Sequence, residues 1–536
     1  MRKFKRIFIT ALPFLFASVY LQAQGTDAEI RSGLSAINEP VLKAQLGFLA
    51  SDWTEGRESD EKGAFMASDY IASMLQLYGV KPGGDPIRGG YLGGQQNQER
   101  TYFQNFALIK TSPGKEHLLR VKSQSTGTTR NAEFKYNVDF MLRSLYNEAD
   151  VEAPVVFVGY GFVNEKLKYN DFTKADVKGK FILKITGSPA FARESVPAAD
   201  LLTAARETER IAREMGAVGI IEVNPSAAVV GNPEQKDFMN PAPSEGRRTP
   251  GGTPARYSIP VKTTADDLIR ISVSARVAEE ILKGSGITLA DYQKKADANQ
   301  QVVIPVLTGK SVYVKSTIET SQVAVRNVIG IIEGNNPDQI IVLGAHYDHI
   351  GIGNGYLWNG ADDNGSGTVG VMTVARAIMA TGKKPDKTII VALWTAEEEG
   401  LIGSHYYVTN LTYPLKNLKL NVNFDMISRY ISDDKPKGVV MTYTKSFPRF
   451  KDITIENMNN YGIDLEVDYQ PSDDPPGGSD HRSFFEAGIP IMRFKPGHRE
   501  EYHTPDDEVS TVDWDIMEKV VRISFANVWT LANSSW

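Results

Sequence analysis

Six of the chain's seven histidines fall between positions 346 and 503, and most of them lie close to carboxylates. The clusters are His346-Tyr347-Asp348, Gly360-Ala361-Asp362-Asp363-Asn364-Gly365-Ser366-Gly367, Glu397-Glu398-Glu399-Gly400, Asn423-Phe424-Asp425-Met426, Ser479-Asp480-His481 and Tyr502-His503-Thr504-Pro505. Imidazole and carboxylate donors without thiolate suit zinc, with manganese or cobalt as the alternatives. The chain has no cysteine, which removes disulfides, thiolate metal sites and a thiol nucleophile. Two divalent ions ~3.5–4 Å apart need a carboxylate that bridges them and terminal ligands on each side. A neighbouring carboxylate that is not a ligand can then take a proton from the attacking water, and adjacent Glu397 and Glu398 can divide the two tasks. In the H-x-D spacing, Asp348 is placed to hydrogen-bond the far nitrogen of a metal-bound His346. Asp-Asp-Asn-Gly is also ordinary turn and helix-cap chemistry. The joint placement of these residues, more than any one of them, carries the metal reading. No Walker pattern and no G-x-G-x-x-G accompanies the glycines, so a phosphate loop is not expected.

The elements that must position these residues are four strand-like runs, QIIVLGAH, KTIIVALWTA, LKLNVNFDM and IPIMRFK. They alternate with helical patterns at Ser366–Ala380 and Trp514–Leu531. Near-continuous apolar strands between helices imply an α/β fold, with a mostly parallel (mixed) central sheet flanked by helices on both faces. Ligands of such sheets bind at the carboxyl ends of the strands, which is where the clusters lie. Upstream, Pro40–Ala50 and Ala64–Tyr78 read as helices, the second with Ile71, Leu75 and Tyr78 along one face and Gly79 at its end. From about 126 to 318 the texture changes to short strands between turn residues. One helix, Ala204–Met215, interrupts them, and Asn224–Tyr257 is a Pro-, Gly- and Ser-rich excursion. This block reads as a β-rich domain inserted into the other.

At 536 residues, two or three domains are expected. Hydrophobic residues at 41% and charged residues at 23% are ordinary globular composition, which argues against disorder. Lys plus Arg is 59 against 65 for Asp plus Glu, a net charge of −6, with no basic cluster to meet a polyphosphate backbone. Nucleic acid is not an expected partner. The segment MRKFKR, the apolar run Ile7 to Leu21 and the small residues at Ala23–Gly25 read as a cleaved secretory signal over 1–23. That apolar run is short for a spanning helix, so no stable membrane anchor is expected after cleavage, and the protein is expected to be secreted or periplasmic.

At HYD, GADDNGSG, AEEEGLIGS, NFDM and YHTPDD, in order and rough spacing, the sequence closely resembles the secreted co-catalytic dizinc aminopeptidases, the leucyl-aminopeptidase-like enzymes. The resemblance covers about 320–536 and extends to 50–106, where LASDWTEGRESDEKGAFMASDYIASMLQLYGV and YFQNF look like the family's N-terminal part. VVFVGYGF, YNDF, DVKGKFIL and GAVGIIEV are similar to the protease-associated (PA) domain that some members carry. The implied division is 1–23 signal peptide, 24–125 first part of the peptidase domain, 126–318 inserted PA domain and 319–536 zinc peptidase domain. The resemblance implies two zinc ions per chain, one on His346 and Asp425, the other on Glu398 and His503, with Asp363 bridging. It also implies Glu397 as general base, Tyr502 beside the oxyanion, a cis peptide bond between Asp363 and Asn364, and peptides as substrates that lose N-terminal residues to a dizinc-activated water.

Other readings differ at recognisable points. A related carboxypeptidase or dipeptidase needs Arg or Lys converging on the substrate's terminal carboxylate, for which Arg429, Arg482, Arg493 and Lys495 are candidates. The acids Asp473-Asp474 lean the same loop toward an amine instead. A glutaminyl cyclase shares the fold with one metal, and a receptor-like relative would have lost its ligands. The complete set here argues against both. His349 and His498 could line the cleft, His481 divides evenly between cleft and structure, and His405 reads as a packed or solvated helix residue. Asp362 and Glu399 read as orienting or capping residues.

Overall fold

The structure, a computed structural model, describes residues 27–87, 99–143, 148–173, 175–196, 198–225, 255–260, 268–298, 302, 304, 306–353, 356–495, 497 and 499–536. The expected signal segment 1–23, most of the excursion at 224–257 and His498 lie outside these residues. The described residues form two compact units, one from 27–107 and 324–536, the other from 108–242 and 248–323.

The first unit is built on a mixed sheet. Its strands are β1 (Lys81–Pro82), β2 (Lys310–Ile332, of which the C-terminal part belongs here), β3 (Asn336–His346), β4 (Lys387–Trp394), β5 (Leu418–Phe424), β6 (Gly438–Thr444), β7 (Glu466–Ser472) and β8 (Ile491–Lys495). The order is β7-β6-β8-β5-β3-β4-β2, with β1 pairing on β2. The central pairs β3/β4, β3/β5 and β5/β8 are parallel, as is β6/β7; β6/β8, β2/β4 and β1/β2 are antiparallel.

Side-chain alternation feeds two cores. Ile341, Leu343, Ile389, Val391 and Leu393 join one cluster, while Ile340, Val342, Ile390, Ala392 and Trp394 join the other. The first face is covered by α1 (Glu39–Leu49), α2 (Lys62–Leu77), α3 (Gly367–Ala380), α5 (Arg449–Tyr461) and α7 (Trp514–Ala532). The second takes Tyr407 of α4 (Ile402–Thr409) and Phe484 of α6 (His481–Glu486). Both faces are therefore buried, which is why these strands are apolar throughout. In α2, Ile71 and Leu75 are fully buried, Tyr78 caps the helix and Gly79 follows with φ +82°. Among the described residues, no helix is long and apolar enough to cross a membrane.

The second unit has its own sheet and core. Strands Ala149–Phe157, Phe181–Ile185, Gly219–Val223 and Ile269–Val273 run parallel in that order. Residues 311–316 and Phe140–Leu142 close the edges antiparallel. Helix Ala198–Glu214 starts earlier than its sequence pattern indicates, and Ala275–Leu282 and Leu289–Asp297 pack on the same unit's core.

Candidate metal centre

Four parallel strands deliver the site at their C-terminal ends. β3 ends on His346, β4 leads through Thr395-Ala396 into Glu397-Glu398, β5 leads into Asp425, and β8 ends on Lys495. A cleft is lined by His346, Asp363, Glu397, Asp425, Met426, Gly478, Lys495, Tyr502 and His503.

The loop between β3 and α3 brings in Asp363. Gly360 holds φ +56°, and a Cβ there would meet the Asp363 carbonyl oxygen at 2.2 Å, so only glycine fits this turn. The Asp363–Asn364 peptide bond is cis. The Asn364 side chain then ties this loop to the end of β5: Nδ2 donates to Phe424 O at 2.9 Å, and Oδ1 accepts from Met426 N at 3.2 Å and Gly367 N at 3.0 Å.

The residues expected from sequence come together in two groups. His346 Nε2 lies 3.5 Å from Asp363 Oδ1, 3.8 Å from Asp425 Oδ1 and 3.8 Å from Glu397 Oε2. His503 Nε2 lies 2.9 Å from Asp363 Oδ2 and 3.3 Å from Glu398 Oε2. The two oxygens of Asp363 thus face different groups. Tyr502 stacks on His503 with ring centroids 3.8 Å apart, and its burial raises the phenol well above its ordinary range.

Electrostatics shows how unbalanced this arrangement is without a cation. Burial works against a charge on His346, yet Glu397, Asp425, Asp348 and Asp363 raise it well above its ordinary value. Burial likewise opposes a charge on His503, but Glu398 and Asp363 push it up to about 10. Burial raises Glu397 well above the carboxylate range, helped by Glu398, Asp480 and Asp425. Glu398 is held well below it by His503 and His349, which overcome its own burial. Clustered, buried carboxylates that draw protons onto neighbouring imidazoles are the donor set a divalent cation would satisfy. Among the described residues, His346, Asp363 and Asp425 form one group whose ligand atoms lie within 4.8 Å of one another; His349, Asp363 and Glu398 form another.

Several placements differ from the sequence expectations. His346 Nδ1 meets the main-chain carbonyl of Asp348 at 3.2 Å, while the Asp348 carboxylate stands 3.8 Å away. That carboxylate instead accepts the main-chain N–H groups of Glu397 (3.2 Å) and Glu398 (3.3 Å) and the Ser59 hydroxyl (3.3 Å). It positions the glutamates, not the imidazole. His349 is buried with Nδ1 2.8 Å from Glu398 Oε1, a closer role than its place in the motif suggested. Asp473 and Asp474 are exposed and paired with Lys445 and Arg482, outside the cleft lining. Arg429 Nη2 donates to Thr511 at 2.5 Å, and Arg482 also pairs with Glu486. His405 is an exposed residue of α4. Buried His481 lies at the start of α6 with Nε2 2.8 Å from the Pro476 carbonyl, and Asp362 accepts from the main chain and hydroxyl of Ser428 at 3.0 and 2.7 Å.

Two residues hold the site that residue type alone did not mark. Arg57, at the end of the short 3-10 helix Asp52–Arg57 after α1, is 1% exposed. Its guanidinium donates to the main-chain carbonyls of Tyr347 (2.7 Å), Leu49 (2.5 Å), Asn359 (2.6 Å) and Gly360 (2.9 Å). Burial lowers it to about 10, against the pull of Asp507, Asp348, Asp363 and Glu398. Asp507 accepts the main-chain N–H groups of Asp362 (2.8 Å) and Asp363 (2.9 Å), tying the loop that carries Asp363 to the segment that carries His503. Burial and the neighbouring Asp362 push Asp507 up to about 8.

Residues 327–528 match peptidase family M28. The leupeptin-inactivating enzyme 1 of Streptomyces exfoliatus is 34% identical over 172 residues, which is 31% of this chain and 34% of that protein. Leucine aminopeptidase 2 of Trichophyton rubrum is 35% identical over 166 residues, 31% of this chain and 32% of that protein. The chain spans about a third of the length of these relatives. The solved aminopeptidase from Aneurinibacillus sp. strain AM-1 shares the fold with a TM-score of 0.58 at 20% identity, covering 95% of this chain and 97% of that one. The match to peptidase family M28 thus covers 327–528, the stretch that carries His346, Asp363, Glu397, Glu398, Asp425 and His503.

Proposed function

We propose that the protein is an exported metallo-exopeptidase that removes N-terminal residues from peptides, with two zinc ions held by its clustered ligands. The observation that carries the reading is Asp363, which turns Oδ1 toward His346 and Oδ2 toward His503, as a bridging carboxylate must. His346 and Asp425 would hold one ion, and Glu398 and His503 the other. The leucine aminopeptidase at 35% identity supports the amino-terminal direction. Export rests on the basic and apolar pattern of 1–23, and the second unit is read as an insertion of the PA type.

Bound divalent ions would supply Lewis-acid polarisation of the scissile carbonyl and of the attacking water. The remaining work falls to the chain. Glu397 Oε2 reaches the cleft 3.8 Å from His346, without the close contacts that Glu398 makes with His349 and His503, and is the carboxylate left to take the water's proton and deliver it to the leaving amine. Asp348 fixes the Glu397-Glu398 main chain through its two accepted N–H bonds. Tyr502 keeps its phenolic proton at neutral pH and can donate it to a developing oxyanion. The cleft's carboxylates suit a substrate ammonium.

The second reading, a carboxypeptidase or dipeptidase, is favoured by one observation, the presence of Lys495 in the cleft. Hydrolysis of leucyl peptides with free and with acetylated amino groups separates the two. Loss of turnover on acetylation is expected; equal turnover overturns the amino-terminal reading.

A further inference from the structure

We propose that Lys495, backed by Arg493, forms an anion subsite for the free terminal carboxylate of a very short peptide, making the enzyme selective for dipeptides. This rests on the exopeptidase reading above and names its substrate class. Residues 493 and 495 alternate along β8, so they share one face of the strand as it leaves the sheet beside β5. Lys495 is the only lysine or arginine among the described residues that line the cleft. Its Nζ stands 3.8 Å from Asp425 Oδ2, too long for a hydrogen bond. Lys495 is the main charge that lowers Asp425 against its burial; once Asp425 answers a metal ion, less of that charge is left for Lys495 to neutralise, and the ammonium is available to a ligand.

Arg493 supplies the second, independent sign. It is 7% exposed, and its Nε and Nη1 have no hydrogen-bond partner among the described residues. Buried guanidinium donors are ordinarily satisfied. Here they stand two residues from the cleft lysine, under the field of Asp425. The other basic candidates are engaged elsewhere: Arg429 with Thr511, and Arg482 with Asp474 and Glu486. The same wall carries Gly478, where an added Cβ would meet nothing within 4 Å, so there is room for a ligand group. In a dipeptide, the terminal carboxylate follows the scissile bond by one residue, a reach of about 3.8 Å along the chain. Lys495 stands beside Asp425, one of the proposed metal ligands, on the wall such a carboxylate would meet.

The test is calorimetric titration of zinc-loaded, full-length Glu397→Gln protein with Leu-Leu, Leu-Leu-amide and Leu-Asp-amide, beside steady-state kcat/KM of the unmodified enzyme. Leu-Leu is expected to bind at least about tenfold more tightly than its amide. Lys495→Met is expected to collapse that ratio and Lys495→Arg to retain it, with zinc content and thermal melting followed for each. If neither variant folds, the ratio in the Glu397→Gln protein alone decides. Equal binding of Leu-Leu and Leu-Leu-amide overturns the subsite, and tightest binding of Leu-Asp-amide reassigns it to a side-chain carboxylate and overturns the dipeptide selectivity. Failure of the enzyme to hydrolyse any of the three counts against the exopeptidase reading, while the binding ratio still judges the subsite.

Discussion

Replacing Arg57 with Met removes a fully buried cation that bonds four main-chain carbonyls. Two of those carbonyls keep another donor: Thr54 Oγ1 reaches Leu49 O at 2.9 Å, and Gly365 N reaches Gly360 O at 3.1 Å. The carbonyls of Tyr347 and Asn359 lose their charged donor, at about 1–3 kcal/mol each, and the other two bonds contribute about 1 kcal/mol each. Against this sum of roughly 6 kcal/mol stands the relief of burying the charge. The fall of Arg57 from its ordinary value to about 10 corresponds to about 3 kcal/mol of that cost. The net expectation is a loss of roughly 3 kcal/mol, or about 6–12 °C in the melting temperature of the first unit. Differential scanning calorimetry of chelator-treated protein reads this without interference from bound metal. Arg57→Lys sharpens the comparison, because an ammonium keeps the charge but cannot span four carbonyls as the guanidinium fork does. A Lys variant as stable as the parent, or a Met variant within about 1 kcal/mol of it, would refute the argument that the fork holds the site together.

The adjacent glutamates should behave differently. Glu397→Gln is expected to keep its metal while kcat falls at least ~10²-fold, whereas Glu398→Gln should lower metal occupancy itself, read by elemental analysis beside kinetics. Purified protein should carry close to two zinc equivalents, and strong chelation should abolish peptidase activity; full activity in metal-free protein would contradict this. Acid should weaken the fold through His481. Burial, assisted by Arg493, depresses it to about 3, so the folded state resists the proton that the unfolded chain accepts near 6.5. Stability from this group is complete above about pH 6.5 and is lost as pH falls toward 3, by roughly 5 kcal/mol in all. His481→Gln, which can still donate to the Pro476 carbonyl, should flatten that part of the stability–pH curve in denaturant titrations.

The four central strands were legible because burial on both faces forces near-continuous apolar runs, and their chemistry follows immediately at the strand ends. Edge strand β7 gave no such signal, since its residues EVDYQPS lie half or fully exposed. The ligand candidates were legible because imidazole and carboxylate types repeat at corresponding places after successive strands. What holds them in place was not. Asp507 sits in the quoted YHTPDD, but its partner is the main chain 145 residues earlier, and no residue type announces a main-chain N–H. Arg57 looks like any loop arginine until its carbonyl partners converge. The pairing of Asp348 with the Glu397-Glu398 main chain, not with His346, depends on the turn after β4, which spacing does not fix.

The bond from Arg57 to Gly360 spans 303 residues of chain, because the first unit is assembled from two stretches with the second unit between them. On a ribosome adding about 5–20 residues per second, Arg57 is made roughly 15–60 s before the carbonyl it will bind. Throughout that interval the apolar faces of α1 and α2, including Leu42, Leu46, Ile71 and Leu75, have no sheet to cover them. The intervening unit has its own core and can complete itself meanwhile. Biogenesis therefore passes through a state with one finished unit and a trailing, sticky amino-terminal segment, the kind of chain that depends on a holding chaperone. A fragment begun at 324 would meet the mirror-image difficulty. Its sheet would form without α1, α2 or Arg57, leaving the surface under those helices open and the loop toward Asp363 unclasped.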